Sequence, residues 1–195
     1  RLRDEALLAN PLLDFPGLLL VDRSAGKLGL PANFHGNSDI PQAGYDNRLA
    51  VLSPVSPDGK LHTLYAPEDG RFVGDVDLHF DGLRLLFSMP TEKGRWGLFE
   101  METGGGKPER IPLIDEPDVD NFDGCYLPDG RIVFSSTATF VGVPCVNGAS
   151  HVTNLYLRST DGSIRQLTFD QDHDWCPTVL NDGRILYLRW EYSGL

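Results

Sequence analysis

Apolar residues along this chain fall in short runs, each closed by glycine, proline, aspartate or asparagine. One pattern recurs three times: an Asp-Gly pair, a basic residue close behind it, and a run of β-branched, leucine or aromatic residues. The copies are Asp81-Gly82-Leu83-Arg84-Leu85-Leu86-Phe87, Asp129-Gly130-Arg131-Ile132-Val133-Phe134 and Asp182-Gly183-Arg184-Ile185-Leu186-Tyr187. Asp-Gly supplies the positive φ angles that a tight turn between antiparallel strands requires, so each copy predicts a hairpin. A second hairpin follows in the first two units, over Trp96 to Met101 and Glu109 to Leu113, and over Asn154 to Arg158 and Ile164 to Thr168. The repeated arginines stand 47 and 53 residues apart, in or slightly above the range for a β-propeller blade of four short strands.

Each repeat therefore reads as strand A, Asp-Gly turn, strand B, loop, strand C, turn, strand D. The inner strands of the last two units align without gaps, which sets Phe122 opposite Trp175 and Leu127 opposite Leu180 as packing positions. Residues 1–60 are less regular. They predict a short helix over Arg3 to Leu8, a strand over Leu18 to Val21, and a long loop from Ala25 to Asn47. Two strands, Arg48 to Leu52 and Leu61 to Tyr65, are joined through Ser56-Pro57-Asp58-Gly59. The expectation is an all-β partial β-propeller of about three four-stranded antiparallel blades in an incomplete ring. Residues 1–60 would form a partial blade with its long loop, and 61–195 the blades proper. The chain opens at Arg1 and stops just after a strand-like stretch, so it reads as a piece of a longer protein.

Composition supports many short elements, because glycine and proline together supply 35 of the 195 residues and leave little room for long helices. The formal charge of −11, with no basic cluster, argues against nucleic acid as a partner, since polyanion binding depends on lysine and arginine. The longest apolar run, Gly17 to Val21, is far too short to span a bilayer as a helix. Cys125, Cys145 and Cys176 show neither C-x-x-C nor the C-x-x-C-H haem-attachment spacing.

Strand order locates the chemistry. The Asp-Gly turns fall on one face of a propeller, and the crossovers between blades fall on the other with the long B–C insertion, Thr137 to Val152. Three Asp-x-Asp pairs enter the inner strands from that crossover face: Asp75 and Asp77, Asp118 and Asp120, Asp172 and Asp174. With His79 and His173 they would ring the mouth of the central channel, an oxygen-rich set that suits calcium. The alternative is that each aspartate caps backbone amides of its crossover. Cys145, His151, His173 and Cys176 map to the same face and offer softer metal ligands, but their spacing is no zinc signature, and a Cys145–Cys176 disulfide or simple burial is the better account of the cysteines. His35 and His62 have no partner in view. Gly104-Gly105-Gly106 leads into Lys107-Pro108 rather than a helix, which argues against a phosphate-cradling loop.

The repeats, with Leu127-Pro128-Asp129-Gly130-Arg131-Ile132-Val133-Phe134 and Ile164-Arg165-Gln166-Leu167-Thr168, resemble the TolB-type, WD-repeat-like propeller units of bacterial periplasmic proteins. A second resemblance spans nearly the whole chain. Asn10-Pro11-Leu12-Leu13-Asp14-Phe15, Gly44-Tyr45-Asp46-Asn47, Val73-Gly74-Asp75-Val76-Asp77, Gly142-Val143-Pro144-Cys145 and Asp172-His173-Asp174-Trp175-Cys176-Pro177 are similar to the propeller region of the hydrazine synthase alpha subunit and its relatives. That family implies c-type haem and chemistry on nitric oxide and ammonia, an activity that the missing haem-attachment motif keeps from being carried over. The resemblance implies a periplasmic or extracellular, non-catalytic domain that binds a protein, a cofactor domain or a small ligand. Its rival is one wall of a haem- or metal-dependent redox site completed elsewhere.

Overall fold

The computed structural model describes residue 6 and residues 8–192. The helix expected over Arg3 to Leu8 lies outside the described residues except at Ala6 and Leu8. Among the described residues thirteen strands follow one another as antiparallel meanders. The first sheet holds β1 (Leu18–Arg23), β2 (Asn47–Ser53) and β3 (Lys60–Tyr65). The second holds β4 (Gly74–Leu78), β5 (Arg84–Pro90), β6 (Trp96–Glu102) and β7 (Glu109–Arg110). The third holds β8 (Asn121–Tyr126), β9 (Ile132–Ser136), β10 (Asn154–Arg158) and β11 (Ile164–Gln166). The last pairs β12 (His173–Val179) with β13 (Ile185–Trp190). Among the described residues no helix is long and apolar enough to cross a membrane.

The three Asp-Gly turns are closed by the same bonds. The amides of His79, Leu127 and Leu180 donate to the carbonyls of Arg84, Arg131 and Arg184, and those of Gly82, Gly130 and Gly183 donate back to the residue three before them. Gly82, Gly130 and Gly183 have φ of +71°, +83° and +83°, a region open to glycine at no steric cost. Asp129 and Asp182 each accept the backbone amide and the guanidinium Nε of the arginine two residues on.

The inner strands β4, β8 and β12 lie side by side, and β1 lies against β4. Strand direction shows how the first sheet fits. Asn47, opening β2, bonds the Arg71 carbonyl and the Val73 amide at 2.9 Å each, and Arg23, closing β1, reaches the Val73 carbonyl. So β1 ends, and β2 begins, on the crossover face. The strands β1, β2 and β3 therefore occupy positions B, C and D, and the loop between β1 and β2 is the counterpart of the long loop between β9 and β10. Both land on the crossover face, where Ser150 Oγ donates to Asp39 Oδ2 at 2.6 Å and ties them together.

Consecutive apolar residues in the B strands are explained by blades covered on both faces. Leu85 and Phe87 pack toward the first sheet, whereas Leu86 joins Tyr126, Ile132 and Phe134 toward the third. Val133 turns the other way, to Leu155, Val179 and Tyr187. At the last sheet that cover stops: Leu186, in register with the fully buried Leu86 and Val133, is 56% exposed. The ring is incomplete on that side.

Candidate functional site

Each of the three inner strands carries a bulge at the same place. Pairing skips from Gly74 to Asp77, from Phe122 to Cys125 and from Trp175 to Thr178, against equivalent positions of the neighbouring B strands. The first extra residue of each bulge is Asp75, Asp123 or Cys176, with φ of 50°, 55° and 52°. Non-glycine residues are uncommon in this left-handed region, and a bulge re-aims a side chain out of the ladder. Three consecutive strands thus turn Asp75, Asp123 and Cys176 toward one another.

A chain of bonds joins them. Asp123 Oδ2 accepts the Cys176 amide at 2.6 Å, the Asp123 amide donates to Ser88 Oγ at 2.8 Å, and Asp75 Oδ2 accepts Asn37 Nδ2 at 2.5 Å. Burial outweighs these donors and raises both carboxyl pKa values. Asp75 is pushed upward, and Asp123, disfavoured also by the charge of Asp75, reaches about 7. The same surroundings push the Cys176 thiol up, so it is no thiolate nucleophile at neutral pH. Asp75 has the Arg23 guanidinium as a compensating charge; Asp123 has no cation beside it among the described residues.

The loop between β1 and β2 roofs this group. His173, fully buried, sets its Nε2 2.9 Å from the Phe34 carbonyl and its Nδ1 3.2 Å from the Thr153 amide. Only a ring protonated on Nε2 satisfies both, and burial lowers its pKa to about 4, which keeps it neutral. His173 is therefore a pin for the loop. At Gly36 the loop comes so close that a Cβ would stand 3.1 Å from Phe122 Cζ. Between loop and bulges remains a pocket of about 230 Å³ lined by Ala32, His35, Asn37, Phe122, Asp123, Trp175 and Cys176 among others. A larger groove, about 700 Å³, opens beside Tyr65, Arg71, Lys93 and Arg110. Its Arg71, Lys93 and Arg110 are already paired with Asp69 or Asp115.

Of the aspartates and histidines expected at the channel mouth, the structure places only Asp75 in this group. Asp77 accepts the Tyr126 amide at 2.8 Å, bracing β4 against β8. Asp120 accepts the Trp96 amide at 2.9 Å, and the exposed Asp118 stands 3.7 Å from Arg95. Asp172 accepts the Tyr192 amide at 2.9 Å, and Asp174 is buried beside it at the start of β12. His79 belongs to the opposite face, in its Asp-Gly turn, 2.9 Å from Asp81. β4 is five residues long, so its far end has already crossed the sheet. Cys145 and His151 are exposed on the loop between β9 and β10, away from the buried His173. All three cysteines are free, so the Cys145–Cys176 disulfide is absent.

Among the described residues no three His, Cys, Asp or Glu side chains converge as metal ligands. Millimolar calcium is accordingly expected to leave the unfolding temperature unchanged; a dose-dependent rise would show a bound cation, since a ligand selective for the folded state must stabilise it. Asn37, Asp123 and His35 are the pocket residues that the Asp-x-Asp spacing missed. Aligning the units by hairpin register instead sets Asp75 against Asp123.

Fold and pocket together define a partial β-propeller with a small, roofed cavity at one mouth of its channel. Neither a family profile nor a curated protein matches the chain. Among solved structures, TolB from Acinetobacter baumannii is similar to it with a TM-score of 0.52 and 18% identity, over 76% of this chain and 33% of that one. A protein described as TolB from Agrobacterium tumefaciens gives a TM-score of 0.43 and 15% identity, over 90% and 78%. The first likeness establishes a TolB-like propeller fold, and this chain spans about a third of that protein.

Proposed function

We propose that the chain is a non-catalytic propeller domain that binds its ligand or partner at the crossover-face mouth of the channel. On the family resemblance, we place it in a periplasmic or extracellular protein related to the hydrazine synthase alpha subunit. The observation that carries the binding reading is the roofed pocket, where an apolar wall and a few convergent polar groups meet at a site with a perturbed carboxyl group. Its chemistry supports binding over turnover: the thiol is held protonated, and both nitrogens of His173 are engaged in holding the loop. The relationship to hydrazine synthase rests on the quoted sequence strings alone. Its haem has no attachment motif here.

A thermal-shift screen of small molecules and short peptides tests the reading. Compounds that stabilise the chain should lose their effect in Ala32→Trp, which fills the pocket, and keep it in Asp129→Ala and Asp182→Ala on the opposite face. Hits that map to the Asp-Gly face, or substrate turnover by the chain alone, would overturn it.

A further inference from the structure

Two acceptors of the pocket, on Asp123 and Asn37, have no donor among the described residues. Asp123 uses Oδ2 for the Cys176 amide, and its Oδ1 has no partner among the described residues. Asn37 is 6% exposed and lines the pocket; its Nδ2 is committed to Asp75, while its carboxamide oxygen accepts nothing among the described residues. That oxygen opens on the cavity and is free to accept a donor from a bound group. Charge points the same way. Of the two carboxyl groups held close in these bulges, Asp75 has Arg23, and Asp123 has no cation among the described residues. The rest of the wall is Phe122, Trp175, Pro31 and Ala32, with the polar side chains of Asn33 and His35 beside them. At roughly 30 Å³ per small heavy-atom group, the cavity holds about seven such groups.

We propose that the channel-mouth pocket takes an organic cation bearing N–H donors, an alkylammonium group, with its nitrogen on Asp123 Oδ1 and Asn37 Oδ1 and its alkyl chain against Trp175 and Phe122. The inference rests on the pocket-binding reading above and names the ligand class. Its source is either a free amine or a lysine side chain of a partner, since both carry the same group. A cation stacked on an aromatic face and paired with a desolvated carboxylate gains from both. Binding requires an ionised Asp123, so it displaces a proton held there at neutral pH. The groups facing that carboxyl are Asp75 from β4, Cys176 from β12, His35 from the roofing loop and, behind Asp75, Arg23 from the end of β1.

Isothermal titration with n-butylammonium chloride, against n-butanol as the uncharged analogue, tests the proposal. Nα-acetyl-lysine amide and its Nε-acetylated form make up the second arm. The ammonium compounds should bind, and their uncharged counterparts should not. Affinity should fall about tenfold from pH 8 to pH 6 as Asp123 protonates, with proton release read from buffers of different ionisation enthalpy. Asp123→Asn should lose at least tenfold in affinity while remaining folded, and Ala32→Trp should block binding. Preference for butylammonium over the lysine amide assigns a free amine; the reverse assigns a protein side chain. Equal binding of amine and alcohol, or unchanged affinity in Asp123→Asn, overturns the proposal. So does absence of binding by both cations; uncharged hits still blocked by Ala32→Trp would then leave the pocket-binding reading standing.

Discussion

Replacing Phe122 by alanine is expected to lower the unfolding free energy by about 3–5 kcal/mol, the range for removing a large aromatic side chain from a packed interior. Phe122 is 2% exposed and packs with Ile40, Tyr45, Phe72 and Trp96. Its ring centroid stands 6.5 Å from that of Trp96, in an edge-on arrangement. Ile40 and Tyr45 come from the roofing loop, whereas Trp96 opens β6 and Phe122 lies in β8. One side chain thus joins the loop to two sheets, and shortening it removes the floor of the pocket at the same time. Urea denaturation followed by tryptophan fluorescence measures the effect. A loss under about 1 kcal/mol would mean that the loop closes over the vacancy and that Phe122 is no anchor.

The second large effect concerns pH. Asp123 titrates near 7 in the folded chain and near 3.9 in an unfolded one. The folded state therefore holds the extra proton between about pH 4 and 7, and stability falls as pH rises through that window. The difference corresponds to about 4 kcal/mol by the free-energy value of a pKa unit, and Asp75 shifts in the same direction. His173 acts oppositely. Its folded value of about 4 lies below the unfolded value of about 6.5, so stability rises with pH between these limits, by roughly 3 kcal/mol.

The two slopes offset each other in the native chain from about pH 4 to 6.5. Asp123→Asn should uncover the histidine slope and stabilise the chain by about 4 kcal/mol at pH 8, where the native carboxylate is ionised, shrinking to about 1.5 kcal/mol at pH 5 and to almost nothing below about pH 4. Denaturation midpoints of both proteins across this range decide it. A destabilised variant at pH 8 would show that the Asp123 charge is already compensated.

The fold was legible because its grammar is local. An Asp-Gly turn followed by β-branched and aromatic residues specifies a hairpin within ten residues, and it recurs with blade spacing. Strands β2 and β3 were found in the same way. The phase of the first sheet was not legible: which position β1 takes depends on its contact with β4 and on where Asn47 meets Arg71 and Val73, and both are long-range facts.

The channel-mouth group was hidden for a related reason. One extra residue in a strand changes which side chains face inward, and the bulges at Asp75, Asp123 and Cys176 set the inner strands in a register that Asp-x-Asp spacing does not follow. Asp77, Asp120 and Asp172 each accept a backbone amide instead. His35 lies in a loop with no periodicity to read, brought over the channel by the long-range bonds of His173 to Phe34, Asn37 to Asp75 and Ser150 to Asp39.

The Asp-Gly turns have a practical side. Asp129 and Asp182 settle their charge on the arginine two residues on, and Cβ atoms added at Gly82 and Gly183 would meet nothing within 4 Å. The first corner is tied to the next hairpin, since the Thr103 amide and Oγ1 donate to the Leu83 and Gly82 carbonyls, whereas the last, at residues 182–184, is bonded only within itself among the described residues. It sits at the far end of strands whose opposite ends shape the cavity, which makes it a natural port for grafting. A fluorophore or a tether spliced in at residues 182–184 would report on, or immobilise, the chain with the channel mouth left free and facing outward.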